Sequence, residues 1–91
     1  MYQKILKEIQ KCIDDENYIL TNHAREQMFE DFLDRHDLEK AIRNGRIVER
    51  QFDEMTDEYK YVLRGRSVSL AEIELVCKLA KALIIITVYK I

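Results

Sequence analysis

The sequence predicts an α+β domain with about three N-terminal helices packed on one face of a four-stranded antiparallel sheet. Apolar residues recur at three- and four-residue intervals through about residue 45, as in amphipathic helices. From Arg46 onward they alternate with polar residues, as in strands with one buried face. Strands that follow the helices, rather than alternate with them, are typical of a segregated α+β fold. The 91 residues suffice for a single domain, with a helical part of about 1–45 and a sheet of about 46–91.

Two helices are expected before residue 33. The first carries apolar residues at helical spacing and ends near Asp15, and an extended link at Tyr18–Leu20 follows it. Thr21 can then serve as the N-cap of a second helix, from about Asn22 to Phe32. The residues of that helix expected to face inward are Ala24, Met28 and Phe32.

A third helix is indicated by capping residues at both of its ends. Asp34 and, three residues later, Asp37 approximate a capping box. Gly45 follows Asn44 at the place where a C-terminal glycine is expected.

Four strands account for the remainder of the chain. Ile47–Phe52 and Glu58–Arg64 are expected to pair through the polar turn between them. Ala71–Lys78 alternates apolar and polar residues, which predicts one buried face. Leu83–Tyr89 is β-branched and almost uniformly apolar, which predicts a central strand covered on both faces.

The composition is that of an ordinary globular protein, with 47% hydrophobic and 35% charged residues. A net charge of −2 argues against nonspecific nucleic-acid binding through bulk charge. No apolar stretch is long enough to cross a membrane, and the N-terminus lacks the pattern of a signal peptide. Cys12 and Cys77 fit no zinc or redox spacing, and Cys77 is expected to be buried. We therefore expect a cytoplasmic protein without a metal site or a cofactor.

Three residues could supply acid–base chemistry. His23 follows the expected cap Thr21, where a neutral imidazole could exchange protons; a surface histidine bonded to nearby backbone is the alternative. Glu74 and Lys78 share one face of a strand. They could act as a base beside an oxyanion stabiliser, or form a salt bridge on a solvated sheet face.

Four further residues could bind phosphate or a base. Arg64 and Arg66 flank a glycine at a strand end, a pattern that suits phosphate recognition but is also met in solvated arginines. Thr87 and Tyr89 share a face of the last strand. They could contact a nucleotide, or be satisfied by backbone or water at the edge of the sheet.

Short segments of the chain resemble domain-of-unknown-function family 4258. The resemblance covers Thr21 to Tyr89, and its order and spacing are more specific than any one motif. The segments that carry it are Thr21-Asn22-His23-Ala24, Met28, Asp37 to Gly45, and Ile85-Ile86-Thr87-Val88-Tyr89. The family is similar to the RelE-like toxin fold, a barnase-like ribonuclease architecture shared with MqsR-type messenger-RNA interferases.

The resemblance implies a metal-independent endoribonuclease of a type II toxin–antitoxin system. RNA would be its substrate, cleaved by attack of the ribose 2′-hydroxyl, and a cognate antitoxin, of the YgiT zinc-finger type in some relatives, would be its partner. Glu74 or His23 would be the base and the other the acid, Arg64 and Lys78 would stabilise charge on the phosphate, and Tyr89 would contact a nucleotide. The residues expected to bind RNA around them are Arg25, Arg66 and Thr87.

Two departures from the family pattern bear on that activity. Many relatives carry an Arg-Gly pair where this chain has Asp31-Phe32, and a second histidine on the penultimate strand is missing. The alternative function is a noncatalytic module that binds a protein or nucleic acid with the same sheet. Clustering of the catalytic candidates in one cleft would favour the enzyme, and their dispersal would favour the module.

Overall fold

The structure is a computed structural model that describes residues 1–91. Three helices and five strands follow one another in the chain, and all five strands belong to one mixed sheet. The elements are α1 (Gln3–Asp14), β1 (Tyr18–Leu20), α2 (Asn22–Glu30), α3 (Arg35–Arg43), β2 (Arg46–Asp53), β3 (Glu58–Arg66), β4 (Glu72–Leu79) and β5 (Leu83–Lys90).

The sheet has the strand order β1–β5–β4–β3–β2. Strands β2 to β5 form the antiparallel meander that the sequence predicts. The prediction of four strands was wrong, because Tyr18–Leu20 is a fifth strand that pairs in parallel with Leu83–Ile85. Three residues are too few to show a strand period, and the free edge of β5 that they pair with lies more than 60 residues further along the chain.

The helix ends follow the capping residues. Thr21 Oγ1 accepts a hydrogen bond from the backbone N–H of Ala24, and Asp34 and Asp37 form a reciprocal capping box at the start of α3. The second helix stops at Glu30, two residues before the predicted end. Phe32 therefore does not face inward: it is 91% exposed with a φ of 56°, and Leu33 takes the buried position.

One hydrophobic core joins all three helices to one face of the sheet. It includes Ile9 and Ile13 of α1, Met28 of α2 and Leu38 of α3, together with the inward residues of β3, β4 and β5. Cys77 is part of this core, as predicted, and burial raises the pKa of its thiol to about 12.

The opposite face of the sheet is uncovered. No buried helix residue packs there, and on β5 the outward side chains Ile84 and Ile86 are only half-buried. The expectation that β5 is covered on both faces was therefore wrong, although β5 does lie in the interior of the sheet. β-Branched residues fit the pleated, half-buried surface of a strand, so an apolar run of this kind forms without a second covering layer.

The two glycines allow α3 to approach β3. A Cβ atom on Gly65 would lie 1.9 Å from the Ala41 carbonyl oxygen, and one on Gly45 would lie 2.4 Å from the same atom. Neither glycine has a positive φ, so Gly45 serves close packing rather than a left-handed helix end. The C-terminus of α3 is thereby held against the end of β3.

No helix in the structure combines the length and the apolar character needed to cross a membrane.

Candidate functional site

Three of the predicted catalytic residues meet on the uncovered face of the sheet. Glu74 of β4 lies directly opposite Arg64 of β3 on one side and Tyr89 of β5 on the other. Arg64 Nε donates a hydrogen bond of 3.0 Å to Glu74 Oε1, and the Tyr89 hydroxyl donates to Glu74 Oε2. The side chain of Glu74 is only 15% exposed, and that of Arg64 is 42% exposed. A carboxylate, a guanidinium group and a phenol thus form one hydrogen-bonded row across three strands.

Strand alternation places the first two members of this row. Leu63 and Gly65 face the helices, as do Ile73 and Leu75, so the residues between them, Arg64 and Glu74, face outward.

A β-bulge places the third member. Cys77 pairs with Ile85 whereas Val76 pairs with Thr87, so Ile86 is an extra residue in β5. Leu83 and Ile85 face the core, and simple alternation would therefore turn Tyr89 inward as well. The bulge shifts the alternation by one residue, so that Val88 is buried and Tyr89 reaches Glu74.

Lys78 does not join this row. It lies four residues beyond Glu74, roughly 13 Å along the strand. Its ammonium group pairs instead with Glu58 Oε1 at 3.3 Å. Lys78 therefore forms a salt bridge on the sheet face, which was the alternative to a role as an oxyanion stabiliser beside Glu74.

His23 lies beside the sheet but makes no hydrogen bond or ion pair with the row. The side chains of Thr21 and Gln27 bond to the backbone of β5, at Ile86 and Val88 respectively, so α2 runs along the edge of that strand. His23 is one turn before Gln27 on the same side of the helix, and is exposed. It therefore flanks β5 near Thr87 without contacting Glu74.

Arg25 lies elsewhere. It lines a pocket of about 430 Å³ beside β1, together with Tyr18 and Arg35. In that region Arg35 Nε donates to the Tyr18 hydroxyl oxygen (2.9 Å), and the Tyr18 hydroxyl donates to Glu39 (2.6 Å). Burial and the bond to Glu39 raise the pKa of Tyr18. These contacts fasten β1 to α3, a connection that sequence reasoning did not identify.

Thr87 is close to the row but is not part of it. It pairs with Val76, two residues from Tyr89, and its hydroxyl oxygen is buried without a hydrogen-bond partner. Asp31 accepts a hydrogen bond of 2.9 Å from the Lys90 backbone N–H. That carboxylate therefore closes the free edge of β5.

Arg66 belongs to a pocket of about 310 Å³ that adjoins the row. Arg64 and Arg66 both line it, and so does Arg46, which lies directly opposite Arg64 across the β2–β3 pair. In the sequence Arg46 belongs to a group of arginines, at positions 43, 46, 50, 64 and 66, that could form a local basic cleft, but it was not among the residues predicted to bind RNA. Only the register of the hairpin, through a bulge between Ile47 and Glu49, brings it beside Arg64.

The family DUF4258, described as a domain of unknown function, matches residues 20–90. The chain belongs to this family. The match begins at the end of β1 and runs through β5, so the row of Arg64, Glu74 and Tyr89 lies entirely within it. No curated protein and no solved structure matches the chain. No group of three or more histidine, cysteine, aspartate or glutamate side chains is arranged to hold a metal ion.

Proposed function

We propose that the chain is a toxin-like endoribonuclease, an mRNA interferase of a type II toxin–antitoxin system with a RelE-like fold. The observation that carries the proposal is the position of the Glu74 carboxylate, between Arg64 and Tyr89 on the uncovered face of the sheet. A proton acceptor, a cation and an aromatic hydroxyl on an open surface suit a single-stranded RNA substrate. A cognate antitoxin, such as a YgiT-type zinc-finger protein, would cover that surface in the inactive complex.

In the proposed reaction a ribose 2′-hydroxyl takes the place of the Tyr89 hydroxyl at Glu74 Oε2. Glu74 accepts the 2′-hydroxyl proton while the 2′-oxygen attacks phosphorus, and the bond between phosphorus and the 5′-oxygen breaks. The leaving 5′-oxygen takes a proton from His23, and the products are a 2′,3′-cyclic phosphate and a 5′-hydroxyl.

Arg64 has the charge and the position to stabilise the phosphorane-like transition state. Its Nε bonds to Glu74, which leaves the two terminal nitrogens of the guanidinium group available to phosphate oxygens. Because the side chain is 42% exposed, a substrate can reach it without displacing part of the core.

The ring of Tyr89 offers a face on which a base can stack. His23 lies one helical turn before Gln27, whose side chain bonds to the Val88 N–H next to Tyr89, so a nucleotide lying over that strand would approach both His23 and Tyr89. The protein groups named here supply a base, an acid and a cation, and the reaction therefore requires no metal ion.

One observation favours the noncatalytic alternative. Both carboxylate oxygens of Glu74 already accept hydrogen bonds, one from Arg64 and one from Tyr89. A carboxylate satisfied in this way can simply stabilise the sheet, which would leave the open face free to bind a protein or a nucleic acid.

A cleavage assay with Glu74→Gln tests the proposal. Purified protein is incubated with a mixed single-stranded RNA in EDTA, and the ends of the products are identified. We expect wild-type cleavage to leave 2′,3′-cyclic phosphate ends, and Glu74→Gln to lower the rate by about a hundredfold or more. His23→Ala is expected to lower it by a similar factor.

The matched control is Glu58→Gln. It removes a carboxylate that lies on the same face and in an ion pair with Lys78, but outside the row. Cleavage within about twofold of wild type is expected for this control, because exposed ion pairs contribute little to stability. Cleavage that survives Glu74→Gln would contradict the assignment. If the pure wild-type protein cuts no RNA, the noncatalytic module becomes the better account.

A further inference from the structure

Next to the row of Arg64, Glu74 and Tyr89 the structure presents three arginines around one pocket. We propose that Arg46, Arg64 and Arg66 bind a phosphate group there. The pocket has a volume of about 310 Å³, enough for a phosphate and its first neighbouring atoms, and lies where β2 begins and β3 ends. Asn44 and Glu72 also line it, and Glu72 is the one acidic residue among the lining residues.

The first argument for an anion site is that two arginines lie side by side and only one of them has an acidic partner. Arg46 and Arg64 lie directly opposite each other in the antiparallel pair, an arrangement that is destabilising for two cations. Glu74 neutralises Arg64, but the side chain of Arg46 makes neither an ion pair nor a hydrogen bond. An anion between the two guanidinium groups would relieve this repulsion.

Arg66 adds a second guanidinium group without a carboxylate partner. It lies opposite Glu72, yet no ion pair forms between them, and its Nη1 donates instead to the carbonyl oxygen of Leu70 at 3.1 Å. The pocket therefore holds three guanidinium groups but only one arginine–carboxylate ion pair, that of Arg64 with Glu74. Planar guanidinium groups bind phosphate oxygens in a bidentate manner.

The backbone that carries these arginines is held in place. The Asn44 side chain accepts a hydrogen bond from the Arg66 N–H (2.8 Å) and donates one to the Arg66 carbonyl oxygen (2.9 Å). Gly65 packs directly on Ala41 of α3. A site whose backbone is already ordered loses less entropy when it binds a ligand.

Capping of the carbonyl groups at the end of α3 does not account for the positions of Arg46 and Arg66. Gln10 Nε2 already donates to the carbonyl oxygens of Ile42 and Arg43, at 3.1 and 3.2 Å. These two carbonyl groups at the end of the helix are therefore satisfied without Arg46 or Arg66.

The position of the pocket favours a phosphate of an RNA strand. Arg64 belongs both to the pocket and to the row with Glu74, so a phosphate held by Arg46 and Arg66 would neighbour the one placed for cleavage. This choice of ligand rests on the proposed ribonuclease function, whereas the binding of phosphate does not. A free nucleotide or inorganic phosphate would present the same chemistry.

The test measures binding without cleavage. A fluorescent 2′-O-methyl RNA, which cannot undergo 2′-hydroxyl attack, is titrated with wild-type protein, Arg46→Ala and Arg50→Ala, and binding is followed by anisotropy. Arg50 is the matched control, because it lies on the same strand but stacks over Tyr59, with its guanidinium carbon 4.3 Å from the ring centroid. In a second arm, binding of inorganic phosphate and of adenosine monophosphate to the same three proteins is measured directly by isothermal titration calorimetry.

We expect Arg46→Ala to weaken RNA binding by about tenfold, as for the loss of one charge-assisted contact. The slope of log affinity against log salt concentration should fall by about the contribution of one phosphate contact. Arg50→Ala should change binding less than about twofold. Binding of millimolar phosphate that Arg46→Ala abolishes, without measurable RNA binding, would assign the site to small phosphate ligands. Equal behaviour of the two variants in both arms would overturn the proposal.

The result is separable from that of the ribonuclease proposal. Glu74→Gln should lose cleavage and keep 2′-O-methyl RNA binding, whereas Arg46→Ala should weaken that binding by about tenfold. Thermal unfolding of Arg46→Ala and Arg50→Ala, followed by circular dichroism, shows whether both are folded under the conditions of the titration.

Discussion

Replacing Gly65 by alanine tests whether α3 must contact β3 as closely as the structure shows. The added Cβ would lie 1.9 Å from the carbonyl oxygen and 2.7 Å from the carbonyl carbon of Ala41. Ordinary contact begins at 3.4 Å, so the helix and the strand must separate by about 1.5 Å. The obstructing atoms belong to the backbone, and no side-chain rotation can relieve the clash.

The cost follows from what such a movement would disturb. Leu38, Ala41 and Ile42 of α3 are completely buried, so a shift of the helix opens the core along its whole length. Overpacking of this kind typically costs about 1–3 kcal/mol, and we expect about 3 kcal/mol because backbone meets backbone. For a domain of this size, that corresponds to a fall in Tm of about 12–24 °C.

Urea unfolding followed by circular dichroism measures the change in the free energy of unfolding. Lys81→Ala, at an exposed turn between β4 and β5, serves as the control and should change stability by less than about 0.5 kcal/mol. A loss below about 1 kcal/mol for Gly65→Ala would refute the reasoning, since it would mean that α3 does not rest on Gly65. The same variant should also weaken phosphate binding, because Gly65 lies between Arg64 and Arg66.

Two further predictions concern single side chains. Asp37→Ala should lower the free energy of unfolding by about 1–2 kcal/mol at pH 7, because the carboxylate accepts hydrogen bonds from the backbone N–H groups of Asp34 and Val68. Burial alone would raise the pKa of Asp37, but those donors bring it below its ordinary value. The contribution is therefore present above the unfolded pKa of about 3.9 and is lost as the pH falls through the folded pKa, so the two proteins should converge in urea titrations at low pH. An undiminished difference there would contradict this account. In native protein a thiol reagent should modify Cys12 readily and Cys77 only on unfolding, since burial raises the pKa of Cys77 to about 12. A fast-reacting thiol that persists in Cys12→Ser would show that the core opens more often than the structure suggests.

The sequence predicted the elements that have strong local signals. The strand alternation of Glu72–Leu79, the cap at Thr21 and the capping box at Asp34 each depend on residues a few positions apart, and each was confirmed. The wrong predictions concern residues whose place depends on distant partners. Tyr18–Leu20 becomes a strand only because β5 offers an edge, and Phe32 is exposed because α2 ends before it.

The candidate site divides in the same way. Glu74 could be chosen from the sequence because it interrupts an apolar strand pattern, and Arg64 because it flanks a glycine at a strand end with Arg66. The outward direction of both follows from strand alternation. Their roles in catalysis stay predictions until the cleavage assay is done. His23 could also be chosen, but its distance from Glu74 depends on how α2 lies along β5, which no local pattern specifies.

The sequence by itself thus determined the order of the helices, the antiparallel meander and the residues able to carry charge on its open face. Those features follow from periodicity and capping, which act within a few residues. Only the tertiary structure decided that Tyr89 meets Glu74 and that Arg46 lies opposite Arg64. The first depends on one extra residue in β5 and the second on the register of the β2–β3 hairpin. A shift of one residue in either strand would turn these side chains to the other face, and that register is set by packing across the whole sheet.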